Sequence, residues 1–514
     1  MVNVSRHNAQ LEVPDWLRQR VLQSPGALAV AGGGLAWDFA ELDRQAAFLA
    51  GRLSRLGVQP DDRVAVLMGN GLAFVAVVHA LIKLRAILVP LNTRLAHAEM
   101  SWQLADVGAT LLLYDARNAD AVEAVTAAVP EIQQLLIDDA KSDKWLDKHA
   151  NTAFSTPDRL DLRATHCIIY TSGTTGKPKG VLLTYGNHWW SAIGSALNLG
   201  LHAEDRWLAV LPLFHVGGLA MLMRGVIYAH PVFVHERFDP VTVNLALDEQ
   251  QITIISVVAN VLDRMLTERE DRPYPSTLRA VLLGGGPAPQ PLLERCVHIG
   301  LPVVQTYGMT ETASQAATLA PADALRKLGS AGKPLMPVEL RIEANDVMVP
   351  VGTVGEIVVR GPNVTPGYAD RPEATEQALR GGWLHTGDLG YLDEEGYLYV
   401  VDRRDDLIIS GGENVYPAEV ESVLLGHPSV ADVAVVGLPD PRWGQTVGAA
   451  VVLHPGMLSS AHELIDFCKA QLAAYKAPAH ISLRAELPRN AGGKIVRHAI
   501  RDTWRAQTDR CTDN

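Results

Sequence analysis

Short apolar runs alternate with amphipathic stretches through most of this chain, and that alternation limits its architecture sharply. Residues 38–56 (DFAELDRQAAFLAGRLSRL) set their apolar side chains on one helical face and stop at Gly57. Residues 63–68 (RVAVLM) read as a strand closed by the Gly69-Asn70-Gly71 turn. A second helical stretch over 74–84 precedes a strand-like run at 87–90, and the rhythm returns near 208–211, 253–258, 280–283 and 303–305. Strands that alternate with helices in this way predict a parallel sheet covered on both faces. With 514 residues, 48% of them hydrophobic, the chain can bury a large core and should divide into about two to four domains.

Between residues 330 and 400 the pattern changes. Gly and Pro become frequent, helical patterning stops, and short β-rich runs appear at 355–360 and 396–401, which predicts an antiparallel sheet or barrel. A new α/β unit follows Asp405, with strand-like 407–409, a helix over 417–425, a strand at 433–436 and a helix over 462–472. The expected organisation is a body of residues 1–404 and a C-terminal cap of residues 405–514.

Charge and cysteine usage exclude some functions. Lys and Arg number 45 against 57 Asp and Glu, a net charge of −12, whereas a general nucleic-acid binder carries a basic excess. Four cysteines (Cys167, Cys296, Cys468, Cys511) without a CxxC pair argue against a disulfide scaffold or a zinc cluster and fit a reducing compartment. The first residues lack the basic and apolar regions of a signal peptide, and no apolar run is long enough to span a bilayer. The expectation is a cytoplasmic protein. Oligomeric state is not legible, homodimers being the commonest assembly in general.

The stretch richest in chemistry is 170–180, YTSGTTGKPKG, directly after the apolar run 166–169. Its glycines let consecutive N–H groups point at one anion, and Thr171, Ser172, Thr174, Thr175, Lys177 and Lys179 add donors and charge. A flexible linker would not follow a buried strand. A P-loop of the NTPase kind is excluded too, because Thr171 stands at its first glycine and Pro178 follows Lys177.

TSGTTGKPKG resembles the signature of the adenylate-forming enzymes: acyl-CoA synthetases, luciferases and peptide-synthetase adenylation domains. Four further motifs follow in that family's order: 307–311 (YGMTE), 386–388 (TGD), 402–406 (DRRDD) with 411–414 (GGEN), and Lys494 in 489–494 (RNAGGK). The resemblance implies an α/β, multi-domain fold: two doubly wound αβ subdomains and a β-barrel-like subdomain in the body, with a small mobile α+β cap. It implies attack of a carboxylate on the α-phosphorus of ATP, then attack of the coenzyme A thiol on the acyl-adenylate.

The same resemblance distributes roles. Nucleotide contacts fall to Thr171, Ser172, Gly173, Thr174, Thr175, Gly176 and Lys177, to Gly285, Gly286 and Pro287, and to Thr306, Tyr307, Gly308 and Met309. Asp388 and Arg403 would hold the ribose, Tyr307 would offer a flat face to adenine, and Thr310 would donate to the α-phosphate. Glu311 is the expected Mg²⁺ ligand, since a hard cation prefers carboxylate oxygen. Lys494 would bridge carboxylate and α-phosphate, with His215 as a gate beside the reacting carboxylate. Asp405 occupies the hinge position, and Gly411, Gly412 and Glu413 would line the pantetheine path.

The stretches 184–201, 283–289 and 310–315 resemble the branch of the family that ligates o-succinylbenzoate to coenzyme A in menaquinone biosynthesis. That acid keeps a second carboxylate, and burying it unpaired costs several kcal/mol. The pocket residues expected are His188, Arg224, Ser256 and Gly284, with Arg224, His188 and Asn187 as candidate carboxylate partners. Other readings remain open: a ligase for an aryl, coumarate-like or medium-chain acid, an adenylation domain acting on a separate carrier protein, or an inactive nucleotide-binding module.

Overall fold

The computed structural model describes residues 11–137, 158–171, 178–270, 272–286, 288, 290–403, 408–415, 417–488, 495, 497 and 499–504. Two large sheets form the body. The first runs in the order Lys179–Thr184, Thr165–Thr171, Ile87–Pro90, Arg63–Leu67, Leu111–Asp115, Gln133–Ile137, and all its neighbours are parallel except the first pair. The second has nine strands. Its six parallel members are Val303–Tyr307, Ala280–Leu283, Ile254–Val257, Trp207–Ala209, Val232–Val234 and Leu28–Gly32, with antiparallel strands added at both edges.

The local reasons are visible in the sequence. Asp38 caps the helix Phe39–Arg55 by accepting from Glu41 N–H, and that helix buries Phe39, Leu42, Ala46, Leu49 and Leu53. The helix Leu72–Leu84 is almost wholly buried, which explains its continuous apolar run. Among the described residues no helix is long and apolar enough to cross a membrane. Cys167, Cys296 and Cys468 are buried free thiols.

The β-rich stretch is an open, five-stranded antiparallel sheet ordered Val347–Met348, Glu339–Ala344, Gly355–Arg360, Leu384–Leu392, Leu398–Arg403. One expectation for this region is corrected. The helical pattern does not stop altogether, because Pro372–Ala378 is a helix. The described part of the C-terminal unit runs from Ile408–Ser410 and is dominated by the hairpin Val430–Asp440/Gly444–Leu453, with His480–Leu483 parallel to the second arm. The helices Pro417–Leu425 and Ala461–Lys469 pack beside this sheet and enclose a separate apolar core.

Candidate active site

The parallel strand Val303–Tyr307 runs into a tight turn that only glycine permits. A Cβ on Gly308 would lie 1.8 Å from the Ser314 carbonyl oxygen, so the chain folds back on itself there. Thr312 closes the turn, its Oγ1 accepting from Met309 N–H at 3.0 Å and donating to Met309 O at 3.1 Å. Thr310 opens the single helical turn Thr310–Thr312. Glu311 is buried, and its Oε1 accepts from the Tyr368 hydroxyl at 3.0 Å.

Tyr368 is itself held against the strand Lys179–Thr184. Ala369 N–H donates to Gly180 O at 2.8 Å and Leu182 N–H to Gly367 O at 3.0 Å. The Lys179 ammonium lies 5.2 Å over the Tyr368 ring. Thr171 ends the strand Thr165–Thr171 that enters the loop. Ser172, Gly173, Thr174, Thr175, Gly176 and Lys177 lie outside the described residues, as do Pro287, Asp405 and Lys494.

Thr306 and Tyr307 take more structural roles than their motif suggests. Thr306 Oγ1 donates to Ala317 O at 3.1 Å, tying the strand to its antiparallel neighbour. Tyr307 is buried in the core beneath the antiparallel sheet, and its hydroxyl donates to Asp388 Oδ2 at 2.8 Å. Asp388 stands opposite Arg403 in the ladder between Leu384–Leu392 and Leu398–Arg403, so the two ribose candidates share one register position. At the next loop, Gly285 adopts φ +80°, and a Cβ on Gly284 would lie 2.8 Å from Thr306 Cγ2.

The cap presents its glycine loop to this surface. Gly411 and Gly412 have φ +59° and +85°, and the turn projects Glu413 toward the body. Glu413 Oε1 pairs with Arg94 Nη1 at 2.5 Å, and Oε2 lies 3.3 Å from His215 Nε2. Burial alone would raise the Glu413 carboxyl. The hydrogen bond from His215 and the charges of His215 and Arg94 outweigh it and hold the group below the usual carboxylate range. Val258 is close to both glycine loops: a Cβ on Gly285 would be 3.0 Å from it and one on Gly412 3.2 Å. Asn260 Nδ2 donates across to Arg442 O at 3.2 Å.

Behind His215, the helix Val216–Tyr228 carries Arg224 into the interior, where it is 2% exposed. Its Nη2 donates to Ser191 Oγ at 3.3 Å, and the guanidinium lies 5.6 Å over the Trp207 ring. Among the described residues Nε has no hydrogen-bond partner and no carboxylate lies within ion-pair distance. Burial therefore pulls its pKa below the ordinary arginine value. Ser191 Oγ donates to Ala313 O at 2.7 Å, beside the turn at Gly308, and Trp207 Nε1 donates to Ser256 Oγ at 3.1 Å.

The other carboxylate candidates are already engaged or neutral. Asn187 caps its own helix and donates to Pro362 O and Val364 O. His188 is fully buried against His166, with its Nε2 3.6 Å from Cys167 Sγ. Burial and then the Arg224 charge push His188 down to about 3, so it is uncharged near neutrality. Arg94 and Tyr368, which touch Glu413 and Glu311, belong to no motif, and no local pattern marks them.

Residues 17–369 match the family described as AMP-binding enzyme, and residues 419–494 match the AMP-binding enzyme C-terminal domain. The chain belongs to the AMP-binding enzyme family. It is 50% identical over 497 residues to a 2-succinylbenzoate–CoA ligase of Geobacillus kaustophilus, covering 95% of this chain and 97% of that protein. Among solved structures it resembles o-succinylbenzoate CoA synthetase of Bacillus subtilis at 45% identity, over 95% of this chain and 98% of that one. The TM-score is 0.89 for a double mutant of that protein bound with a product analogue, OSB-NCoA. It is 0.73 for the same protein in complex with the acyl-adenylate intermediate OSB-AMP. Identity and coverage are equal in the two comparisons, so the gap reflects how the parts are arranged.

Proposed function

We propose that this chain is an AMP-forming acid–thiol ligase that converts 2-succinylbenzoate, ATP and coenzyme A to 2-succinylbenzoyl-CoA, AMP and pyrophosphate. The observation that carries the reading is near-full-length similarity to a 2-succinylbenzoate–CoA ligase at 50% identity. Arg224 supplies the physical reason: a buried guanidinium beside the catalytic turn, with an unpartnered Nε, suits the substrate's second carboxylate.

In the first step a carboxylate oxygen attacks the α-phosphorus and pyrophosphate leaves. Two unit charges 4 Å apart repel by about 4 kcal/mol at an effective dielectric of 20, so the site must supply positive charge and alignment. Lys494 is assigned that charge, Thr310 a hydrogen bond to the phosphate, and Asp388 with Arg403 the ribose. Glu311 fits Mg²⁺ as a hard carboxylate donor aligned by Tyr368, and the ion would neutralise phosphate charge. In the second step the thiol sulfur attacks the acyl carbonyl and AMP leaves. The cap, taken as residues 405–514, turns about Asp405 between the steps. The contact of Glu413 with His215 and Arg94, together with the higher similarity to the product-analogue complex, supports reading the described arrangement as the thioester-forming one.

A thioester assay over 2-succinylbenzoate, benzoate, coumarate and octanoate, each with ATP, Mg²⁺ and coenzyme A, tests the substrate. Clear preference for any of the last three overturns it.

A further inference from the structure

Away from the residues assigned to catalysis, the cap and body share one buried charge cluster. The Lys476 ammonium is 2.7 Å from Glu99 Oε1 and 2.8 Å from Glu419 Oε1. The side chains of Lys476, Glu419 and Glu99 are 4%, 6% and 9% exposed, so water screens this cluster little. Lys476 and Glu419 belong to the cap, whereas Glu99 lies in the first turn of the body helix His97–Val107.

Glu99 is prepared as an acceptor before the cap arrives. Its Oε2 takes a hydrogen bond from Ala96 N–H at 2.9 Å, which fixes the carboxylate at its own helix end. The cap then adds two donors, Ala473 N–H on Oε2 at 2.7 Å and the Lys476 ammonium on Oε1. One body side chain thus holds a cap backbone amide and a cap cation together. Lys476 retains Glu419 as a partner within the cap, so a cap that turns away keeps a paired ammonium while Glu99 loses two of these three donors. A cap turned away from this arrangement breaks the contact.

We propose that Glu99 is a positioning residue for the thioester-forming step, a latch that captures Lys476 and Ala473 and holds the cap in the described orientation. The inference rests on the ligase reading and on the assignment of this orientation to the second half-reaction. Glu99 touches no reactant. It acts through the population of cap orientations, and so through one half-reaction only.

The test separates the steps. Wild type, Glu99→Gln and Glu99→Asp are compared by ATP–pyrophosphate exchange with 2-succinylbenzoate and by single-turnover transfer from preformed acyl-adenylate to coenzyme A. Glu99→Gln should keep exchange within about twofold of wild type and slow transfer about tenfold or more, with Glu99→Asp recovering part of the loss. A fluorescence-transfer pair on body and cap should show Glu99→Gln moved away from the docked arrangement. Equal loss of both steps, or transfer unchanged in Glu99→Gln, overturns the latch. Wild type that forms no adenylate with any acid overturns the ligase reading and the latch with it, whereas a wild type competent in both steps beside an indifferent Glu99→Gln removes the latch alone.

Discussion

At the level of single side chains, the proposed choice of substrate turns on Arg224. Truncating one partner of a buried, hydrogen-bonded charge pair costs about 2–5 kcal/mol. Arg224→Met, which keeps much of the volume, should raise KM for 2-succinylbenzoate by about thirtyfold or more and leave benzoate, which lacks the second carboxylate, nearly unaffected. Equal effects on both acids, measured by thioester formation, would show that Arg224 only fills space. Tyr368 makes a second residue-scale prediction. A hydrogen bond to a charged group contributes about 1.5–3 kcal/mol, so Tyr368→Phe should raise the Mg²⁺ needed for half-maximal pyrophosphate exchange about tenfold; an unchanged Mg²⁺ titration contradicts the alignment of Glu311. Glu413 gives the pH dependence. Its folded pKa is depressed, so its contribution to cap docking is complete above the ordinary carboxylate range and is lost as pH falls through the depressed value. Body–cap fluorescence transfer should therefore be steady from pH 7 to 5 and fall only in more acid solution.

Among the elements, the turn after Val303–Tyr307 is the least forgiving. Gly308→Ala sets a methyl 1.8 Å from a backbone oxygen that cannot yield, and overpacking costs of about 1–3 kcal/mol should be met or exceeded. Gly300→Ala, at φ +66° with open space around it, should cost about 1 kcal/mol by denaturant unfolding. Equal destabilisation of the two would contradict the packing argument. The same elements show how far sequence reading reaches. Ala280–Leu283 and Ile87–Pro90 keep the expected bounds, because full burial turns each into an apolar run with clear ends. The helix Pro372–Ala378 buries no residue, so it has no apolar stripe to betray it. The long hairpin arm Gly444–Leu453 carries no strand signal, because its Gly- and Ala-rich, half-buried run does not alternate.

For the whole molecule, chain order told which motifs exist but not which of them meet. Arg94 with Glu413 and Glu99 with Lys476 join positions 319 and 377 residues apart, and no local periodicity marks either pair. The net charge of −12 likewise excludes a general nucleic-acid partner yet leaves the charge at the cleft to a few local groups. The claim that binds these scales together is that one site serves two reactions by moving the cap. Single-turnover kinetics of Lys494→Ala test it most directly, with adenylate formation and transfer from preformed adenylate measured separately. Loss of one electrostatic stabiliser costs about 10²–10³ in rate, so adenylation should fall by about that factor while transfer stays near wild type. Equal loss of both steps would contradict the moving cap.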